Sequence, residues 1–271
     1  LHVRSRRQRQ MCIRDRPGTV RNAATGFPVG NKGYITTGYN PDQKDRADTW
    51  EYDPETNTWR QMDDFKGGAR YYALGFGIDN YGYVGTGYND NYLKDFYRFD
   101  PTAAAGSQWT IVNGFGGQKR QGATAFVING KAYVCGGQNN NSDVSDFWCF
   151  DPSAATPWTQ LRDIANTSDD DYDDDYTSIV RSYGVSFVID GKAYLTLGST
   201  AGGSYYSNYW IYDPETDLWE GDDLTAFEGS TRIHAVCFST GTRGIIATGG
   251  SGSSSYFDDT WELKPYEYEE E

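Results

Sequence analysis

The chain reads as an all-β propeller built from four-stranded antiparallel blades, five repeats of which are present. Three observations predict this. An arginine and a glycine stand seventeen residues apart five times over, at Arg21 and Gly38, Arg70 and Gly87, Arg120 and Gly137, Arg181 and Gly198, and Arg232 and Gly249. The unit that carries them recurs about every 50 residues, a period that belongs to propeller blades. Short β-rich runs bounded by turn residues fill each unit, and no segment sustains a helical apolar period.

Each unit has the same order of elements. After the arginine comes a mostly apolar run, such as that ending at Ile78, then a turn at Asp79-Asn80 and the glycine-rich segment Gly82 to Gly87. A polar loop leads to a third run in which large apolar residues alternate with period two, as in Trp50/Tyr52, Tyr97/Phe99, Trp148/Phe150, Trp210/Tyr212 and Trp261/Leu263. Intervening positions such as Phe147 and Cys149 are apolar too, which suits a sheet covered on both faces. Asp53-Pro54-Glu55-Thr56-Asn57 and Asp213-Pro214-Glu215-Thr216-Asp217 close hairpins, because Asp-Pro starts a turn and Asn or Asp tolerates a left-handed corner. The fourth strand carries Trp59, Trp109, Trp158 or Trp219, bulky enough to fill the wedge between blades. The blades are expected at about 21–62, 70–112, 120–161, 181–222 and 232–265, inside one domain spanning 17–265.

The doubled glycines of Cys135-Gly136-Gly137 and Thr248-Gly249-Gly250, the Asp-x-Trp-x-Tyr/Phe element at Asp48 to Tyr52 and Asp146 to Phe150, and the later tryptophan resemble the kelch-repeat family from Arg21 to Leu263. Three units depart mildly, with Thr37-Gly38, Thr86-Gly87 and Leu197-Gly198 in place of the doublet. The phrasing around Gly33 to Asn40 and Tyr52 to Trp59 is similar to secreted or lipid-anchored kelch proteins of Bacteroidetes-type bacteria, which implies a periplasmic or cell-surface location. The family also includes galactose-oxidase-like copper-radical oxidases. That chemistry requires two histidine ligands, whereas His234 is the single histidine beyond the first sixteen residues.

Those sixteen residues stand apart. Leu1 to Arg16 holds six arginines and no strand pattern, and its codons, read back, fit a common transposon-based sequencing adapter. A basic targeting or nucleic-acid arm is the alternative. Without this segment the 24 basic and 38 acidic residues fall to 18 and 37, so the net charge moves from −14 to −19. Such a surface repels nucleic-acid phosphates and anionic lipid heads, and no apolar run is long enough to cross a bilayer. A fourth-strand tryptophan is expected near position 10, and the last unit stops at Trp261 to Pro265 without a fourth strand, ahead of an acidic tail at 266–271. The resemblance implies a six-bladed ring of which five blades remain; the sequence alone also allows a five-bladed ring missing its closing strand.

Candidate site residues fall on one face. Arg21, Arg70, Arg120, Arg181 and Arg232 sit where one blade hands over to the next, and a guanidinium ring at the channel mouth would suit carboxylate ligands. A residue repeated in every blade is more often scaffold than site, each arginine then tying down a neighbouring backbone or aspartate. Loops rich in Tyr and Asn, with Tyr39, Tyr88 and Gln138 at their starts, and His234 on an inner strand, complete the candidate ligand-binding set. Asp169, Asp171, Asp173 and Asp175 lie in one enlarged loop and make a weak Ca²⁺ candidate, since the loop lacks the glycine turn and terminal Glu of a calcium loop and reads foremost as a solvated segment. Cys135 and Cys149 lie on neighbouring strands, free or able to meet in an oxidising compartment. No cofactor motif is read. The expected function is a non-catalytic binding module for a glycan, peptide or protein. The alternative is a metal-free sugar epimerase or mutarotase.

Overall fold

The structure is a computed structural model that describes residues 17–42, 44–221, 226–252 and 254–264. The adapter-like segment 1–16 and the tail 266–271 lie outside the described residues. Five antiparallel sheets succeed one another along the chain. The first comprises Thr25–Val29, Lys32–Thr36, Thr49–Asp53 and Thr58–Gln61, hydrogen-bonded in that order. The second (Leu74–Ile78, Tyr81–Gly85, Phe96–Phe99, Trp109–Val112), the third (Thr124–Ile128, Lys131–Cys135, Trp148–Phe150, Trp158–Gln160) and the fourth (Val185–Ile189, Lys192–Thr196, Tyr209–Asp213, Leu218–Glu220) repeat it. The fifth has three strands among the described residues, Val236–Ser239, Gly244–Ala247 and Thr260–Leu263. First strands of consecutive blades pack side by side, which makes them the inner wall of a propeller.

The turns form for the reasons the residues give. Asn57 and Asp217 take left-handed corners at φ 52° and 55°, and Asp53 Oδ1 accepts the Glu55 N–H at 2.9 Å to start its turn. Short ribbons extend the loops between second and third strands: Tyr39–Asn40 with Lys44–Asp45, Gln138–Asn139 with Ser142–Asp143, and Gly250–Ser251 with Ser255–Tyr256.

The core lies between blades. Six residues after each repeat arginine stands a phenylalanine facing the next blade, and Phe27, Phe76, Phe126 and Phe187 are only 4, 5, 4 and 2% exposed. The fourth-strand tryptophan of the next blade meets them from the other side: Trp109 lies edge-on to Phe27 at 6.3 Å, and Trp219 to Phe126 at 6.1 Å. Burial of one such ring contributes about 1.5–3 kcal/mol. At the end of the series the equivalent Phe238 is 59% exposed, because no further blade covers it among the described residues.

Cys135, Cys149 and Cys237 are free. The register sets Cys149 opposite Tyr133, two residues along from Cys135, so the thiols do not face one another across the ladder. The free-thiol reading holds, and the alternative that the pair could meet is corrected. Burial pushes the Cys135 thiol up to about 12 and the Cys237 thiol up to about 11, which keeps both protonated and inert.

Candidate functional site

Four of the repeat arginines are the largest fully buried side chains among the described residues. Arg70, Arg120, Arg181 and Arg232 are 0–1% exposed, and the Arg21 side chain is 2% exposed. Each places Nη1 on the backbone carbonyl sixteen residues on, at Thr37, Thr86, Gly136, Leu197 or Thr248, over 2.9–3.2 Å. The rest of the fork meets a carboxylate at the head of the third strand: Arg21 with Asp48, Arg70 with Asp95, Arg120 with Asp146, Arg232 with Asp259. The glycine seventeen residues on then donates its N–H to the carbonyl of the next blade's arginine, from Gly38 to Arg70, Gly87 to Arg120, Gly137 to Arg181 and Gly198 to Arg232, at 2.8–3.0 Å. Its φ lies between 88° and 105°, and a Cβ at Gly137 would stand 2.8 Å from the Gln121 carbonyl, so only glycine fits.

The constant spacing of seventeen is therefore a latch within and between blades. Arg21, Arg70, Arg120, Arg181 and Arg232 are thereby corrected as candidate ligand-binding residues: the guanidiniums are buried and satisfied from inside, as the scaffold reading expects. Asp48 shows the strength of the pairing. Burial pushes its carboxyl up, but hydrogen bonds from Arg21 and Trp50 outweigh it and hold the pKa at about 2. The fourth blade differs. Asn208 stands where the others have Asp, and Arg181 bonds to Asn208 Oδ1 at 3.1 Å and Ser178 O at 2.6 Å, under the Tyr206 ring. Burial without a carboxylate lowers the Arg181 pKa to about 10.

The latch also orients its neighbours in the chain. The residue after each arginine bridges the residue after each glycine, pairing Asn22 with Tyr39, Tyr71 with Tyr88, Gln121 with Gln138 and Ser182 with Ser199. The next residue is left-handed in every blade, at Ala23, Tyr72, Gly122, Tyr183 and His234, with φ between 50° and 64°. For tyrosine and histidine this conformation costs on the order of 1 kcal/mol or more, and it turns their rings toward the channel axis. Tyr72 packs on Tyr183 at 4.9 Å and stacks on His234 at 5.1 Å, while Tyr183 meets His234 at 4.6 Å. Three rings from three blades thus meet in one cluster.

From this cluster an aromatic surface runs outward through Tyr71 to Tyr39 and Tyr88, and from Tyr88 to Tyr92, with centroids 5.0–5.6 Å apart. Two open cavities flank Tyr72. One, of about 760 Å³, is lined from all five blades and includes Gly122, Tyr183 and His234. The other, of about 680 Å³, lies between the first and second blades and is lined by Tyr39, Lys44, Asp45, Tyr71, Tyr72 and Asp90 among others. Gln121 and Gln138 both donate amide N–H to Tyr183 Oη, at 2.9 and 2.8 Å. With its acceptor capacity used, that hydroxyl is left to donate to a ligand. Burial raises the Tyr183 and Tyr72 pKa values and lowers that of His234, so all three rings are neutral at pH 7.

Of the residues expected from sequence, Tyr39, Tyr88, Gln138 and His234 come together on this face. Tyr71, Tyr72, Tyr92, Gln121 and Tyr183 were not anticipated; alignment of the units on their arginines would have placed most of them one or two positions beyond the latch. The calcium reading is corrected as well. Asp173 is fully buried and accepts the N–H groups of Thr167 and Ser168 and the Ser168 hydroxyl at 2.9 Å, which occupies it, and no cluster of metal-ligating side chains occurs among the described residues. No helix among the described residues is long and apolar enough to cross a membrane.

Comparison with known proteins agrees with this architecture. No curated protein matches the chain. Among solved structures, the one titled "Structure of YjhT" superposes with a TM-score of 0.74 over 92% of this chain and 83% of that one, at 15% identity, a likeness of fold alone. The family profile of the KLHDC2/KLHL20/DRC7 Kelch-repeats domain matches residues 29–169, just over half the length. With five latched blades and this match, the chain belongs to the kelch-repeat β-propeller family.

Proposed function

We propose that this kelch propeller is a non-catalytic binding module whose recognition surface is the tyrosine-lined channel mouth. One observation carries the reading: seven aromatic rings, contributed by four blades, pack in a continuous series across one end of the propeller with two open cavities beside them. Tyrosine gives rigid contact area at small entropic cost and keeps a polar tip for orientation, the composition that protein and peptide interfaces favour. Strained backbone at Tyr72, Tyr183 and His234 supports the same end of the molecule, since such strain persists where surrounding structure holds it for a purpose. A peptide or protein segment fits this surface better than a free sugar, because the rings extend well beyond one monosaccharide.

Export to the periplasm or cell surface belongs to this proposal through the likeness of the repeat phrasing to secreted kelch proteins; cell fractionation with an antibody against the chain tests it. The epimerase or mutarotase alternative needs a converging acid and base. Asp45 and Asp90 line one cavity and His234 the other, so these groups do not converge. The test is a peptide and glycan panel probed with the wild-type chain and with Tyr39→Ser/Tyr88→Ser, alongside anomer exchange followed by NMR. Binding lost in the double variant, without exchange, supports the module. Catalysed exchange, or binding indifferent to both tyrosines, overturns it.

A further inference from the structure

We propose that the cavity between the first and second blades receives a cationic side chain, a guanidinium or ammonium group, presented by a basic peptide segment. The proposal rests on the channel-mouth reading and names the chemistry of one pocket within it. The cavity has aromatic walls and two carboxylates on separate loops. Asp45 comes from the ribbon of the first blade and Asp90 from the loop of the second, where it is held left-handed at φ 68°. Among the described residues neither carboxylate makes a hydrogen bond or an ion pair. They feel one another: burial raises the Asp45 pKa and the charge on Asp90 adds to it, while Lys44 offsets this only in part. Tyr71 reports the same negative field, its phenol raised first by burial and then by Asp45.

The molecule itself shows what this combination holds. In the latches a carboxylate and an aromatic face together bind a guanidinium: Arg70 pairs with Asp95 over Phe65 at 5.0 Å, Arg120 with Asp146 over Phe115 at 5.6 Å, and Arg232 with Asp259 over Phe227 at 5.3 Å. The cavity beside Tyr71 offers the same two components, with the Tyr39 and Tyr71 rings 5.3 Å apart, and the cation that lines it, Lys44, makes no ion pair with either aspartate among the described residues. Ring faces attract cations through their quadrupole, and the attraction grows as water is excluded. A neutral sugar would leave two carboxylates to be desolvated with Lys44 alone to offset them, and an acidic peptide would be repelled. The acidic whole, at −14, steers basic segments toward the site.

The experiment is an NMR titration of the full chain with N-acetyl-arginine amide and, in parallel, with N-acetyl-citrulline amide, which keeps the shape and removes the charge. Saturable shifts at Tyr39, Tyr71 and Asp90 are expected with the arginine compound, with a dissociation constant on the order of 1 mM. Citrulline should bind at least about tenfold more weakly, and Asp90→Asn, at an exposed loop position, should weaken arginine binding about as much while leaving the melting temperature unchanged. Equal binding of the two compounds, or no shifts with arginine, overturns the cationic assignment. If another ligand then maps to the same tyrosines, the channel-mouth reading survives that failure; if the whole peptide and glycan panel leaves those tyrosines undisturbed, both fall.

Discussion

The fourth blade offers a sharp test of the latch. Every other described latch closes with an aspartate, whereas Arg181 is buried against Asn208. Its pKa, lowered to about 10, leaves it charged at pH 7, and at about 1.4 kcal/mol per unit the fall corresponds to a burial cost on the order of 3 kcal/mol. Asn208→Asp supplies the missing charge at a position that already touches the guanidinium. The Ser178 hydroxyl, now accepting from Asn208 Nδ2 at 2.6 Å, can donate to the new carboxylate instead. The incoming aspartate has its own desolvation to offset, so the net gain is about 1–2 kcal/mol. For a chain of this size that raises the melting temperature by about 3–6 °C. Thermal unfolding monitored by circular dichroism measures it. The sign of the pH dependence is fixed too: an arginine-paired aspartate has a folded pKa below its unfolded value, so the gain is present above about pH 4 and disappears as pH falls through the folded pKa. An unchanged or lower melting temperature at pH 7, or a gain that persists into acid, would refute the reasoning.

The same geometry sets other outcomes. Phe126→Ala is expected to cost about 3–5 kcal/mol in urea unfolding and Phe238→Ala less than about 1 kcal/mol, because one ring is buried between blades and the other is exposed; equal costs would mean that something covers the fifth blade in solution. Gly137→Ala should destabilise by about 1–3 kcal/mol in the same assay, since its Cβ would collide with the Gln121 carbonyl at a φ of 88°. Asp48, held at about pKa 2, contributes stability that is complete above about pH 4 and is lost as pH falls through 2, so Asp48→Asn should flatten the acid limb of a plot of melting temperature against pH.

Much of the fold was legible because the latch constrains identity as well as spacing. Only glycine serves at φ near 90° against a carbonyl, and only arginine reaches both a carbonyl and a carboxylate, so both recur at fixed separation. The tryptophans that fill the wedges and the aspartates that open the hairpins were legible for similar reasons. The latch partner was harder to see. Asp48, Asp95, Asp146, Asn208 and Asp259 stand 25 to 27 residues after their arginines, because the loop between second and third strands varies in length, and the pairing therefore shows no fixed period. The proposed recognition face was hidden by a different cause. Ala23, Tyr72, Gly122, Tyr183 and His234 share a backbone conformation but carry four different side chains, so repetition carries little signal there. The arginines drew attention as a charged ring, and burial decides against that role.

The division between scaffold and proposed recognition surface runs between two adjacent residues, Arg70 and Tyr71. The melting temperatures of Arg70→Lys and Tyr71→Ser test it most directly. Lysine keeps the charge of Arg70 but cannot span the Thr86 carbonyl and both Asp95 oxygens, which the arginine reaches at 2.9, 2.6 and 2.9 Å from a site 1% exposed. The loss of about 2 kcal/mol lowers the melting temperature by about 4–8 °C. Tyr71 lies half-buried on the outer face, and Tyr71→Ser should stay within about 3 °C of the wild type, at a cost near 1 kcal/mol. An Arg70→Lys chain that melts with the wild type, or a Tyr71→Ser chain that loses as much stability as Arg70→Lys is expected to, would contradict the assignment of the arginines to the scaffold and the tyrosines to recognition.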